Sequence, residues 1–94
     1  MDKKLEKVIL GSMMLEQSAV DAVAEYAPDG FSEPRHKMIF EAISQLVEEH
    51  AQVDIISVAQ KLKQEGNLEE VGGPVYLTEL TQAAEYLNNK KTLS

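Results

Sequence analysis

Two histidines, His36 and His50, are the only side chains in this sequence whose ordinary ionisation falls near neutrality. A helical zinc pair needs histidines about four residues apart on one face. These two are spaced far more widely, and no third ligand stands beside either. The chain has no cysteine, which removes disulfides, thiolate ligands and thiol nucleophiles and fits a reducing compartment. Carboxylates pair at Glu48-Glu49 and Glu69-Glu70. Adjacent residues on a helix point about 100° apart, so neither pair converges on one reacting atom. A phosphate-cradling loop needs Gly-x-x-x-x-Gly-Lys-Ser/Thr, and no glycine here precedes a lysine. The Gly-x-Ser-x-Gly elbow of a serine nucleophile is also missing. The sequence therefore predicts no catalytic, cofactor-binding or metal-binding residues, and no enzyme in this chain alone.

Nucleic-acid binding is the next chemistry to weigh. Ser57, Gln60, Lys61 and Gln64 have the spacing to face a major groove from the second helix of a helix-turn-helix. Lysines also gather at Lys3, Lys4 and Lys7 and again at Lys90 and Lys91, where they read as solvated chain ends. Against both stand nine Lys and Arg and sixteen Asp and Glu, a net charge of −7 that repels a phosphate backbone. A small helix-turn-helix regulator stays as an alternative from a different class.

The elements that would position any site are helical. Ninety-four residues, 44% of them apolar, predict one domain with one modest core over 1–94. Leu5, Val8, Ile9 and Met13 have the spacing of one helix face, beside small residues Gly11 and Ser12 that allow close approach. Ser18 and Asp21 resemble a capping box ahead of a second stripe, Val20, Val23, Ala24 and Ala27, which stops at Pro28-Asp29-Gly30. Ser32 is a candidate N-cap for a third helix, with apolar face Ile39, Phe40, Ile43, Leu46 and Val47. Asp54 caps a fourth helix that buries Ile55, Val58, Ala59 and Leu62 and ends at Gly66.

Asn67 and Glu70 bracket one further turn ending at Gly72. A last helix starts at Pro74 and carries Tyr76, Leu77, Leu80, Ala83 or Ala84, and Leu87, with fraying expected from Asn88 to Ser94. No strand-period alternation appears. The expected fold is all-α, a compact bundle of five to six short helices. No apolar run reaches the roughly 18–20 residues of a membrane span and no secretory pattern opens the chain, so a soluble cytoplasmic protein is expected.

Several short stretches, taken in order, resemble one family. They are Val8-Ile9-Leu10-Gly11 with Met13-Met14-Leu15, Gly30-Phe31, His36-Lys37-Met38-Ile39-Phe40 with Ala42-Ile43, and Val53-Asp54-Ile55 with Val58 and Leu62. Gly66-Asn67-Leu68 and Gly72-Gly73 with Tyr76-Leu77 and Leu80 complete the series. Together they resemble the N-terminal domain of the bacterial replicative DNA helicases of the DnaB family.

That resemblance implies a helical domain in the collar of a ring-shaped hexamer, where it docks primase and helicase-loading proteins. It implies no membrane contact and no direct nucleic-acid contact by this domain. ATP and Mg²⁺ belong to a RecA-like motor that this sequence does not contain, so ATP hydrolysis and DNA unwinding are not expected here. The helicase-binding region of a primase shares the helical character and is the alternative within the same machinery; the Gly-Gly-x-x-Tyr-Leu wording favours the helicase.

The family's long helical hairpin would follow Thr81–Asn89, where this sequence turns to Lys90-Lys91. The expectation is a monomer or at most a weak dimer. Lys7 stands where the family usually has an uncharged or acidic residue. Tyr76, beside the stripe Leu77, Leu80 and Ala84, takes two readings equally, edge-of-core packing or contact with a partner.

Overall fold

Asp2 opens the first helix by accepting the Lys4 backbone N–H at 2.9 Å, and α1 then runs Lys3–Leu15. The structure is a computed structural model that describes residues 1–93, without the side chains of Gln17, Ser18, Val20 and 88–93. Helix α1 buries Glu6, Leu10, Gly11, Met13 and Met14. The expected stripe is therefore rotated: Leu5 is exposed, Val8 and Ile9 are half-buried, and only Met13 lies fully inside. The reason is Glu6. Its carboxylate finds enough donors in the interior to take a core position that the sequence pattern assigned to an apolar neighbour.

The second expected helix is a 3₁₀ helix, Gln17–Glu25, followed by a short 3₁₀ turn, Pro28–Gly30. No side chain caps the first of these. Ala27, ahead of Pro28, is extended, as a residue before proline prefers. Val23 is buried while Ala24 and Ala27 are exposed. The Ser18 cap and Val20 lie outside the described side chains.

Helix α2 (Pro34–Glu48) starts two residues after Ser32, with Glu33 at the N-cap and no side-chain cap. Pro34 suits that start because it has no N–H to satisfy. Ser32 is thus not the cap; both its N–H and its hydroxyl donate to Glu6. Ile39, Phe40, Ala42, Ile43 and Leu46 face the core, with Val47 at its edge. Two residues past the end of the helix, His50 takes a left-handed φ of 57°, while Ala51 N–H reaches back to the Leu46 carbonyl at 2.9 Å.

Asp54 caps α3 (Ile55–Gln64) through a reciprocal box with Ser57: the Ser57 N–H donates to Asp54 Oδ1 at 2.8 Å, and the Asp54 N–H donates to Ser57 Oγ at 2.9 Å. Val58 and Leu62 are fully buried, with Ile55 and Ala59 beside them. The chain then makes one turn, α4 (Leu68–Val71), which seats Val71 in the core. Gly72 and Gly73, at φ 108° and 73°, swing it into α5 (Gly73–Leu93).

Tyr76, Leu77, Leu80, Thr81 and Ala84 form the buried face of α5, and the Thr81 hydroxyl is satisfied by the Thr78 carbonyl at 2.9 Å. Leu87 is exposed rather than packed, and the backbone is helical through Leu93. No strand forms among the described residues. The first and last helices lie side by side in the same direction, Lys7 beside Glu79 and Gly11 beside Leu80 and Ala84. A Cβ on Gly11 would sit 2.0 Å from the Leu80 carbonyl oxygen, so only glycine permits this approach.

Candidate functional site

Where α1, the start of α2 and the start of α5 meet, the interior is polar. Glu6 is completely buried, and four donors converge on its carboxylate. Oε2 accepts the Ser32 hydroxyl at 2.7 Å and the Ser32 N–H at 2.9 Å; Oε1 accepts the Glu33 N–H at 3.4 Å and faces His36 Nδ1 at 2.7 Å. The far side of the same imidazole, Nε2, lies 2.6 Å from the Tyr76 hydroxyl.

Charge and protonation follow from these partners. Burial opposes ionisation of Glu6, but the Ser32 hydroxyl and N–H, His36 and the Glu33 N–H outweigh it and hold the carboxyl down at about 2. An ionised carboxylate only accepts, so His36 Nδ1 carries a proton and donates it. Burial pushes the Tyr76 hydroxyl up, against the pull of Arg35 and Lys7. The Tyr76 hydroxyl and His36 Nε2 share the remaining hydrogen bond, so every polar group in the line has a partner. No described buried side-chain polar atom lacks a partner.

Charged residues roof this network. The Arg35 guanidinium lies 3.7 Å from the centre of the Tyr76 ring, and Lys7 Nζ lies 5.7 Å from it. Lys7 also pairs with Glu79 at 2.8 Å, which raises the ammonium and lowers the carboxyl. Lys3 reaches Glu33 at 3.1 Å, and Arg35 reaches the same carboxylate at 3.3 Å. Lys7, the departure from the family pattern, is therefore engaged.

A carboxylate, an imidazole and a hydroxyl in line resemble a proton relay, yet the arrangement gives a substrate no access. Glu6 and His36 are 0% and 1% exposed, and Tyr76, the interface candidate from sequence, is 6% exposed. What faces solvent over the Tyr76 ring is Arg35. A partner at this face would meet the guanidinium before the phenol. Both nitrogens of His36 are occupied, and His50 stands apart at the exposed end of α2.

The residues weighed for a DNA-reading helix, Ser57, Gln60, Lys61 and Gln64, line one open face of α3, but two of the four are already engaged. The Ser57 hydroxyl is held in the Asp54 capping box, and Lys61 pairs with Glu49 at 2.9 Å with its side chain largely covered.

The sequence reading did not find the roles of Glu6, Ser32 and Arg35. A signal was present: Glu6, Leu10, Met13 and Met14 fall at i, i+4, i+7 and i+8, a helix stripe that begins on an acid.

Comparison with known proteins places this architecture. The model of the DnaB-like helicase N-terminal domain matches residues 1–93. The replicative DNA helicase DnaB of Rhodothermus marinus is 39% identical over 79 residues, 83% of this chain but 8% of that protein. The corresponding protein of Geobacillus stearothermophilus is 33% identical over 79 residues, 83% of this chain and 17% of its own length. In three dimensions, the crystal structure of the N-terminal domain of DnaB helicase from Mycobacterium tuberculosis superimposes with a TM-score of 0.84 at 32% identity. That match covers 87% of this chain and 58% of the other. The chain thus spans a small part of the full-length relatives it matches.

Proposed function

This chain belongs to the DnaB-like helicase N-terminal domain family, and we propose that its residues 1–94 act as one non-catalytic domain for assembly and partner docking in a replicative helicase. The observation that carries the reading is the fate of its chemically capable side chains. Glu6, His36 and Tyr76 are buried, hydrogen-bonded to one another, and braced across three helices. They hold a scaffold rigid and meet no substrate.

On this reading the domain contributes to the collar of a hexamer in the cytoplasm and receives primase or a helicase loader, with Arg35 over Tyr76 as part of the contact face. It holds no cofactor of its own; ATP, Mg²⁺ and strand separation belong to a motor domain elsewhere in the helicase. Its acidic balance keeps it off duplex DNA.

A pull-down of the purified chain with the C-terminal domain of the cognate primase tests the docking role, and retention on the resin is expected. Failure of primase and loader alike to be retained would overturn it. ATP turnover by the purified chain, surviving removal of contaminants, would overturn the non-catalytic assignment.

A further inference from the structure

Between the 3₁₀ helix Gln17–Glu25 and α2 runs an open groove of about 500 Å³ that the network at Tyr76 does not touch. Its floor is apolar. Phe40 and Val23 close the bottom, and Tyr26 and Val47 stand half-buried along it. Tyr26 is held by Phe31, and Phe31 packs on Phe40 with ring centres 5.0 Å apart, so the floor is continuous with the core.

The α2 wall has a different chemistry. Glu41, Ser44, Gln45 and Glu48 lie at i, i+3, i+4 and i+7, a single stripe along the outer face of the helix. Both carboxylates are exposed, and among the described residues no lysine, arginine or histidine lines the groove. From Glu41 to Glu48 the wall extends about 10 Å, two helical turns at 1.5 Å per residue. The opposite wall is the end of the 3₁₀ helix, which contributes Val23 and Ala24.

We propose that this groove docks one amphipathic helix of a partner protein, apolar along two turns of one face and flanked by lysine or arginine. An apolar trough two turns long takes the i, i+3/i+4, i+7 anchors of a helix. Two carboxylates without a counter-cation select basic flanks and reject acidic ones. The inference rests on the reading of the chain as an interaction module, and it adds a surface and a partner chemistry.

The test uses the whole chain and three fluorescein-labelled peptides: an amphipathic Leu/Lys helix, a Leu/Glu helix of the same pattern, and a scrambled Leu/Lys sequence. Anisotropy at about 150 mM salt reads specific binding, because screening there suppresses diffuse attraction to an acidic surface. The Leu/Lys helix is expected to bind and the other two to bind weakly or not at all. The double variant Glu41→Lys/Glu48→Lys should weaken the Leu/Lys helix about tenfold or more and gain the Leu/Glu helix. Glu69→Lys/Glu70→Lys makes the same change in net charge on α4 and should leave the preference in place.

Equal weakening by both double variants, or equal binding of the scrambled peptide, would overturn the proposal in favour of general charge attraction. A dimer in sedimentation that Glu41→Lys/Glu48→Lys dissolves would also overturn it, because the occupant would then be a second copy. Circular dichroism of each variant checks that the helices persist. If the peptide pattern holds while primase and loader are not retained, the helicase docking role fails and the groove stands. If primase is retained but the peptides show no preference, the groove fails alone.

Discussion

His36 Nε2 lies 2.6 Å from the Tyr76 hydroxyl, so the first turns of α2 and α5 share one buried hydrogen bond. Tyr76→Phe keeps the ring under Arg35 and removes only the hydroxyl, leaving a buried imidazole nitrogen unpaired. We expect a loss of about 1–3 kcal/mol. In thermal unfolding that corresponds to a midpoint lower by about 4–8 °C for each kcal/mol. An unchanged midpoint would show that this bond carries no stability.

Acid sensitivity should trace to Glu6. Its carboxyl sits at about 2 in the fold against an ordinary 4.5, so the unfolded chain binds the extra proton first. The stabilisation is complete above about pH 4.5 and is lost as pH falls toward about 2. Glu6→Gln cannot titrate, so the difference in unfolding free energy between it and the parent chain, read by urea denaturation, should be greatest near neutrality, at about 1.5–3 kcal/mol, and shrink through that window. A difference independent of pH would show that Glu6 is not the group responsible.

Two glycines should respond very differently to the same change. Gly11→Ala drives a methyl into the Leu80 carbonyl, and a backbone atom cannot step aside as a side chain does. Forcing α1 from α5 should cost about 3 kcal/mol or more. Gly30→Ala meets nothing within 4 Å and should stay within about 0.5 kcal/mol. Chemical denaturation of the pair checks this, and similar losses at both sites would refute the close helix contact.

A gain is expected at His50. It adopts φ 57° at the end of α2, exposed to solvent, in a conformation that disfavours any side chain. His50→Gly should raise stability by about 0.5–1 kcal/mol, the reverse of an ordinary glycine substitution. A lower melting point for this variant would show that the imidazole makes a contact worth more than the strain.

Most of the fold was legible in sequence because it rests on local rules. Asp54 with Ser57, Gly72-Gly73 ahead of Pro74, and the stripe from Ile39 to Leu46 each declare themselves within a few residues. The polar site was not, because it depends on meetings across the chain. Glu6 reads as a surface charge until Ser32 and His36 are brought to it. Tyr76 reads as an edge residue until Arg35 covers its ring. The 3₁₀ helix escaped for a different reason: Val20, Val23 and Ala24 have helical spacing, and so short a stripe does not separate an α winding from a 3₁₀ one.

The pairing of α1 with α5 sets when this domain can fold during synthesis. Gly11 must find Leu80, and Glu6 must reach Tyr76 through His36, so the earliest helix is completed by the latest. Closing a loop of that length carries an entropic cost of about 4 kcal/mol before any contact repays it. Contacts so distant in sequence also slow folding relative to bundles built from neighbouring helices. A ribosome-bound chain that has not yet released α5 should hold Glu6 without its full set of donors and the α1 stripe without its floor. Protection of α1 against proteolysis should therefore appear abruptly as α5 emerges, with no gradual rise as each helix is added.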